Sequence, residues 1–151
     1  MANSTLTTPD SRPLRIALIG AGRHAQHHAR AILRCPGVQL VAVADPSDAA
    51  QAAMRDIVPG IGCFKTPEEL FASERLNVVH IITPPASHAP LARMAIKAGC
   101  HIYVEKPFTE SVEDAQQILD EASAKGLRVC AGHQLLYEPP TRVLTQYLPS
   151  I

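Results

Sequence analysis

Residues Leu14 to Leu33 read LRIALIGAGRHAQHHARAIL, an apolar run from Leu14 to Ile19 that empties into Gly20-Ala21-Gly22-Arg23-His24-Ala25 and then a helix-like segment. No other stretch restricts the fold as tightly. A continuous apolar run suits a parallel strand covered on both faces. Gly20 permits a tight strand-to-helix turn, and Gly22 leaves the backbone open to a pyrophosphate. The third position must be small so that helix and strand pack closely, and Ala25 meets that need. Free N–H groups and the positive end of the helix would face the phosphates. This predicts the phosphate-binding corner of a dinucleotide site, with Arg23 and His24 at the helix entrance. Taken alone, the pattern also fits an ordinary tight turn between strand and helix.

The rest of the chain alternates in the same way. A helix is expected over Arg23 to Arg34, packed through Ala25, Ala29, Ile32 and Leu33, with Cys35-Pro36-Gly37 as its stop. The second strand, Val38 to Ala44, ends at Asp45, 20 positions beyond Ala25, where such folds place the acid that accepts hydrogen bonds from an adenosine ribose. A carboxylate there repels a 2′-phosphate and no Arg follows within several residues to soften it, so NAD is expected in preference to NADP. Asp45 could instead cap the helix expected from Ser47 to Asp56. Pro59-Gly60-Ile61-Gly62 precedes only a short apolar stretch, and Thr66-Pro67-Glu68-Glu69 opens a short helix. Asn77 to Thr83 reads as a buried strand with His80 as a neutral, hydrogen-bonded core residue.

Thr83-Pro84-Pro85-Ala86-Ser87-His88 leads into a helix closed by Gly99, and the strand His101 to Val104 ends in Glu105-Lys106-Pro107-Phe108. Ser111 and Asp114 open another helix, Gly126 ends it, and the strand Leu127 to Ala131 leads to Gly132-His133-Gln134. Six strands alternating with helices predict an α/β, doubly wound Rossmann sheet of order 3-2-1-4-5-6, whose ligands bind outside the carboxyl ends of the strands. The polar residues at those ends converge on one edge.

Fourteen basic and fourteen acidic residues leave no net charge, so neither a nucleic-acid nor an anionic-membrane partner is expected. Cys35, Cys63, Cys100 and Cys130 are unevenly spaced with no C-x-x-C pair, which points to reduced thiols in a cytoplasmic protein, packed as small buried hydrophobes. Residues 1–12 are polar and read as a loose tail rather than a leader or membrane anchor.

Together, IGAGRHAQHHARAI, ITPPASHAPLARMAIKAGCHIYVEKPF and GHQ resemble the N-terminal domain of the glucose-fructose oxidoreductase/inositol dehydrogenase (Gfo/Idh/MocA) family, over roughly Leu14 to Tyr137. The T-P-x-x-x-H segment followed by E-K-P is more discriminating than the glycine corner. The resemblance implies an oxidoreductase passing hydride between NAD(P) and a hydroxyl carbon of a sugar, cyclitol or nucleotide sugar. It implies that Thr83, Pro84 and His88 lie along the cofactor and Glu105 beside the nicotinamide ribose. Lys106 would lie between nicotinamide and substrate hydroxyl, orienting that oxygen while hydride leaves the carbon. His133 would line the cleft or contact substrate. His24 and His28 stand at i, i+4 and could in principle grip a metal, but family context favours solvated or packed histidines, and no metal is expected.

On this reading residues 13–137 are the dinucleotide-binding domain, and residues 138–151, with a helix expected over Pro139 to Leu148, lead towards an absent α+β substrate domain. That domain would supply the general base and the usual oligomer interface. The chain alone would then bind cofactor without full catalysis, and its oligomeric state stays open. The alternative is a stand-alone nucleotide-binding or redox-sensing module acting through a partner chain.

Overall fold

The computed structural model describes residues 12–144. The expected tail up to residue 11 and the expected helix beyond residue 144 lie outside the described residues. Six strands, β1 (Leu14–Ile19), β2 (Val38–Ala44), β3 (Gly62–Phe64), β4 (Val78–Ile81), β5 (His101–Val104) and β6 (Val129–Ala131), form one sheet of order β3-β2-β1-β4-β5-β6. Every pairing is parallel, as the alternating sequence predicts. The helices are α1 (Arg23–Ile32), α2 (Asp48–Ile57), α3 (Pro67–Ser73), α4 (His88–Lys97), α5 (Val112–Ala124) and α6 (Pro139–Leu144).

Alternation along β1 explains why its sequence is apolar from Ile16 to Ile19, while Arg15 at its entry is only part-buried and pairs with Glu74. Ile16 and Leu18 pack with Ala25 and Ala29 of α1 and Met54 of α2, whereas Ala17 and Ile19 join a second cluster with Leu70, Ala92, Ile96 and Ile118 from α3, α4 and α5. Both faces are covered, so neither tolerates a polar side chain. Burying Leu18 completely contributes roughly 1.5–3 kcal/mol. Small residues on α1 and α4 set the close approach of helix to sheet: Ala25, Ala29, Ala92 and Ala95 are all buried.

Local chemistry fixes the helix starts. Thr66 and Glu69 form a reciprocal capping box with Pro67 in the first turn, and Ser111 accepts from the Asp114 N–H at 3.0 Å. Differences from the sequence expectation have physical causes. β4 stops at Ile81 rather than Thr83, because Pro84 and Pro85 have no N–H to give a ladder and turn the chain into a 3₁₀ segment, Pro85–Ser87. β6 begins at Val129, since the Leu127 N–H is drawn back to the Ala122 carbonyl at the end of α5. Leu33 is 54% exposed at the end of α1 instead of packed. All four cysteines are free, but only Cys100 is buried; Cys35 and Cys130 are exposed. No described helix is long and apolar enough to cross a membrane. Leu135, Leu136, Tyr137, Val143 and Leu144 leave apolar surface exposed along the last described segment.

Candidate nucleotide-binding site

A parallel sheet puts all its carboxyl ends on one edge, and the glycine corner sits there between β1 and α1. Gly20 has φ +97°, and a Cβ on it would lie 2.4 Å from the Ile82 carbonyl oxygen. Backbone hydrogen bonds hold this crossing on both sides, Gly20 N–H to Ala44 O and Ile82 N–H to Ile19 O, each 2.8 Å. Only glycine fits. Gly22 is different: a Cβ there meets nothing within 4 Å, and its φ of −64° suits any residue. It forms the N-cap of α1 with no side-chain cap and no acidic residue in the first turn. The free N–H groups and positive helix end therefore face open space. Arg23 opens α1 with its side chain exposed, and Ala25 is completely buried against the sheet.

Asp45 stands at the end of β2 as expected, but it is already engaged. Its Oδ2 accepts the Ala21 N–H and its Oδ1 accepts the Ser47 N–H, both at 2.8 Å. The cap of α2 is Ser47, which accepts from the Ala50 N–H, so Asp45 buttresses the glycine corner rather than capping the helix. Buried Gln51 donates to the carbonyls of Asp45 (2.7 Å) and Phe64 (2.9 Å), satisfying two strand ends. Lys65 arrives from β3; its ammonium is held by Asp48 (2.5 Å) and the Pro46 carbonyl (3.1 Å). A cleft of about 410 Å³ connects these parts, lined by Gly20, Gly22, Asp45, Lys65, Thr83 and Pro84 among others.

On the other side of the glycine corner, the Thr83 and Ser87 hydroxyls share a hydrogen bond of 2.6 Å, and Pro84 is exposed. His88 is 1% exposed, with Nε2 2.8 Å from the Thr83 carbonyl oxygen and Nδ1 2.8 Å from the Pro107 carbonyl oxygen. It thus lies behind the wall of the cleft, tying the β4 exit to the turn that carries Lys106. The Lys106–Pro107 peptide is cis.

Glu105 is the buried charge of the site, at 6% exposure. Its Oε2 accepts the Lys106 N–H (3.1 Å) and its Oε1 accepts the Tyr103 hydroxyl (3.2 Å). Nε2 of His24 and Nε2 of His28 each lie 3.2 Å from the same Oε1. Burial works to raise the Glu105 pKa, but the Lys106 N–H and the two imidazoles outweigh it and hold the carboxyl below its ordinary range. Burial lowers the His28 pKa despite the opposing Glu105 charge. His80, 3.1 Å from His28 between their Nδ1 atoms and stacked on Tyr103, is pushed to about 4 by burial and by its histidine neighbour; it is part-buried at the edge of a groove rather than in the core. Burial, then the Glu105 charge, raises Tyr103 to about 12.

The Lys106 side chain is exposed and has no hydrogen-bond or ion-pair partner among the described residues. Gly132, just past the end of β6, carries no sequence signal beyond its place at a strand end. A Cβ there would lie 2.8 Å from the Tyr103 hydroxyl and 3.1 Å from Glu105 Oε1, so β6 closes over Glu105 only with glycine. His133 is exposed at the β6 exit, and no hydrogen bond joins its side chain to Glu105 or Lys106.

A six-stranded parallel sheet with this order, an uncapped helix at its glycine corner and a strand-end acid beside it define a Rossmann dinucleotide-binding domain. Residues 14–133 match the oxidoreductase family with an NAD-binding Rossmann fold (Gfo/Idh/MocA), and the chain belongs to that family. It is 36% identical over 118 residues to an inositol 2-dehydrogenase of Agrobacterium fabrum, covering 77% of this chain and 35% of that protein. It is 32% identical over 117 residues to a D-glucoside 3-dehydrogenase of Escherichia coli, covering 77% of this chain and 33% of that one. Among solved structures, GenD2 from gentamicin A biosynthesis in complex with NAD superimposes with a TM-score of 0.80 at 29% identity, over 85% of this chain and 36% of GenD2. The chain spans about a third of the length of the curated relatives it matches.

Proposed function

We propose that this chain binds NAD as the cofactor-holding part of an oxidoreductase that moves hydride between nicotinamide and a hydroxyl carbon of a sugar, cyclitol or nucleotide sugar. The observation that carries the reading is the 410 Å³ cleft, in which the bare N-terminus of α1, Gly22 and Asp45 meet at one opening. Gly20, Gly22, Arg23, His24 and Ala25 would form or support the pyrophosphate corner, with the helix dipole and free N–H groups compensating its charge. Asp45 would face the adenosine ribose. Thr83 and Pro84 would line the cofactor, with His88 holding their loop against Pro107. Glu105 would stand by the nicotinamide ribose. When bound, the nicotinamide supplies the hydride acceptor or donor. Lys106 is the residue assigned to orient the substrate oxygen, and its exposed, unpaired ammonium is available for that contact. His133, exposed at the adjacent strand end, would contact substrate.

Titration with NADH and NADPH tests the cofactor assignment. NADH is expected to bind more tightly, and Asp45→Asn should narrow the preference, because the amide oxygen still accepts a backbone N–H while the charge that repels a 2′-phosphate is gone. Equal affinities in the wild type, or an unchanged preference in Asp45→Asn, would remove Asp45 from the ribose role. Lys65, which borders the cleft, is paired with Asp48 at 2.5 Å, and both side chains are largely exposed.

A further inference from the structure

We propose that His24, His28 and Glu105 form a binding site for a divalent transition-metal ion of the zinc class. Nε2 of each histidine lies 3.2 Å from Glu105 Oε1, and the three ligand atoms all lie within 4.8 Å of one another. Tetrahedral zinc, with bonds to nitrogen and oxygen of about 2.0–2.2 Å, places neighbouring donors about 3.3–3.6 Å apart. Two edges of the triangle, at 3.2 Å, therefore lie close to the span of a coordination shell. His24 and His28 occupy i and i+4 on one face of α1, while Glu105 comes from the end of β5, so two rigid elements hold the ligands.

The surroundings resemble those of a ligand set more than those of a simple ion pair. Three groups crowd one oxygen of Glu105: His24, His28 and Tyr103, each at 3.2 Å. These contacts are longer than the roughly 2.7–2.9 Å of a well-formed charge-assisted N–H bond. An ion would replace both histidine contacts with bonds. His80 supplies an outer shell: when His28 Nδ1–H donates to His80 Nδ1 across 3.1 Å, His28 Nε2 presents its lone pair to the ion. The Tyr103 hydroxyl orients the carboxylate in the same way. A groove of about 340 Å³ lined by His24, His27, His28, His80, Cys35 and Gln134 among others gives solvent access to both histidines. Two imidazoles and one carboxylate suit Zn²⁺, Co²⁺ or Ni²⁺ rather than Mg²⁺ or Ca²⁺. Such an ion would fasten the entrance of α1 to the strand end that carries Lys106.

The site is tested without nucleotide, so its failure and that of the cofactor reading are distinguishable. The chain, stripped with EDTA, is titrated with Zn²⁺ by calorimetry and with Co²⁺ by visible absorption. One ion per chain is expected, with ligand-field bands for Co²⁺. His24→Ala, at a half-exposed position and with its unfolding midpoint recorded, should remove the bands and weaken Zn²⁺ binding more than about tenfold, and His80→Phe should weaken it about tenfold through loss of the outer shell. His27→Ala should change nothing. Absence of Zn²⁺ uptake at millimolar concentration, retention of full affinity in His24→Ala, or equal loss in His27→Ala would overturn the proposal.

Discussion

Gly20→Ala should unfold much of the nucleotide corner. At φ +97° an alanine costs about 1–2 kcal/mol in backbone strain alone. Its Cβ would then sit 2.4 Å from the Ile82 carbonyl oxygen and 2.9 Å from the carbonyl carbon, both backbone atoms. Relief needs a shift of about 1 Å between β1 and the β4 exit. The hydrogen bonds Gly20 N–H to Ala44 O and Ile82 N–H to Ile19 O pin both segments, and losing one or both costs about 1 kcal/mol each. The sum is about 2–4 kcal/mol, a large part of the roughly 5–15 kcal/mol that stabilises a domain. Urea denaturation of the wild type, Gly20→Ala and Gly22→Ala measures it. Gly22 has an unstrained φ and an unobstructed Cβ direction, so Gly22→Ala should stay within about 1 kcal/mol of wild type. A Gly20→Ala protein as stable as wild type, or a Gly22→Ala protein equally damaged, would refute the distinction between a glycine required by the fold and a glycine that leaves room for a ligand.

Three further outcomes rest on close contacts and burial. Gly132→Ala should destabilise by about 1–2 kcal/mol, because the new Cβ meets the Tyr103 hydroxyl and Glu105; adding Tyr103→Phe should recover part of the loss, and purely additive effects in the double-mutant cycle would exclude that contact as the cause. Thiol titration at pH 8 should label Cys35 and Cys130 readily and spare Cys100 until the chain unfolds, since burial pushes the Cys100 thiol up to about 11. The same raised pKa contributes stability that is present below the ordinary value of 9.0 and lost as pH rises from there to about 11, so a Cys100→Ala variant should show a flatter alkaline stability profile.

Much of the fold was legible because each strand is short, largely apolar and punctuated. The β1 run, the Thr66 capping box and the glycine corner each carry a local cause, and all three stand where the sequence puts them. Strand ends were less legible because they depend on partners: Leu127 is claimed by α5, and the prolines after Ile82 close β4 early. The site was legible as a set of positions along one edge but not as a network. Asp45 could be placed at a strand end, yet its bond to Ala21 needs two loops to meet. Gln51 stands out among the alanines of its helix, a signal that could have marked it as buried and bonded; Lys65 carries no such signal, being 20 residues from Asp45 in sequence. Similarly, the i, i+4 histidines lacked a third ligand until β5 brought Glu105 beside them.

The central claim is that the opening at the α1 N-terminus holds a dinucleotide. Fluorescence titration of NADH into wild type and Gly22→Val, with unfolding midpoints recorded for both, addresses it directly. Saturable binding to wild type, lost in Gly22→Val while its unfolding midpoint moves by no more than a few degrees, is the predicted result. Undiminished binding in Gly22→Val, or no binding to wild type at millimolar NADH, would contradict it.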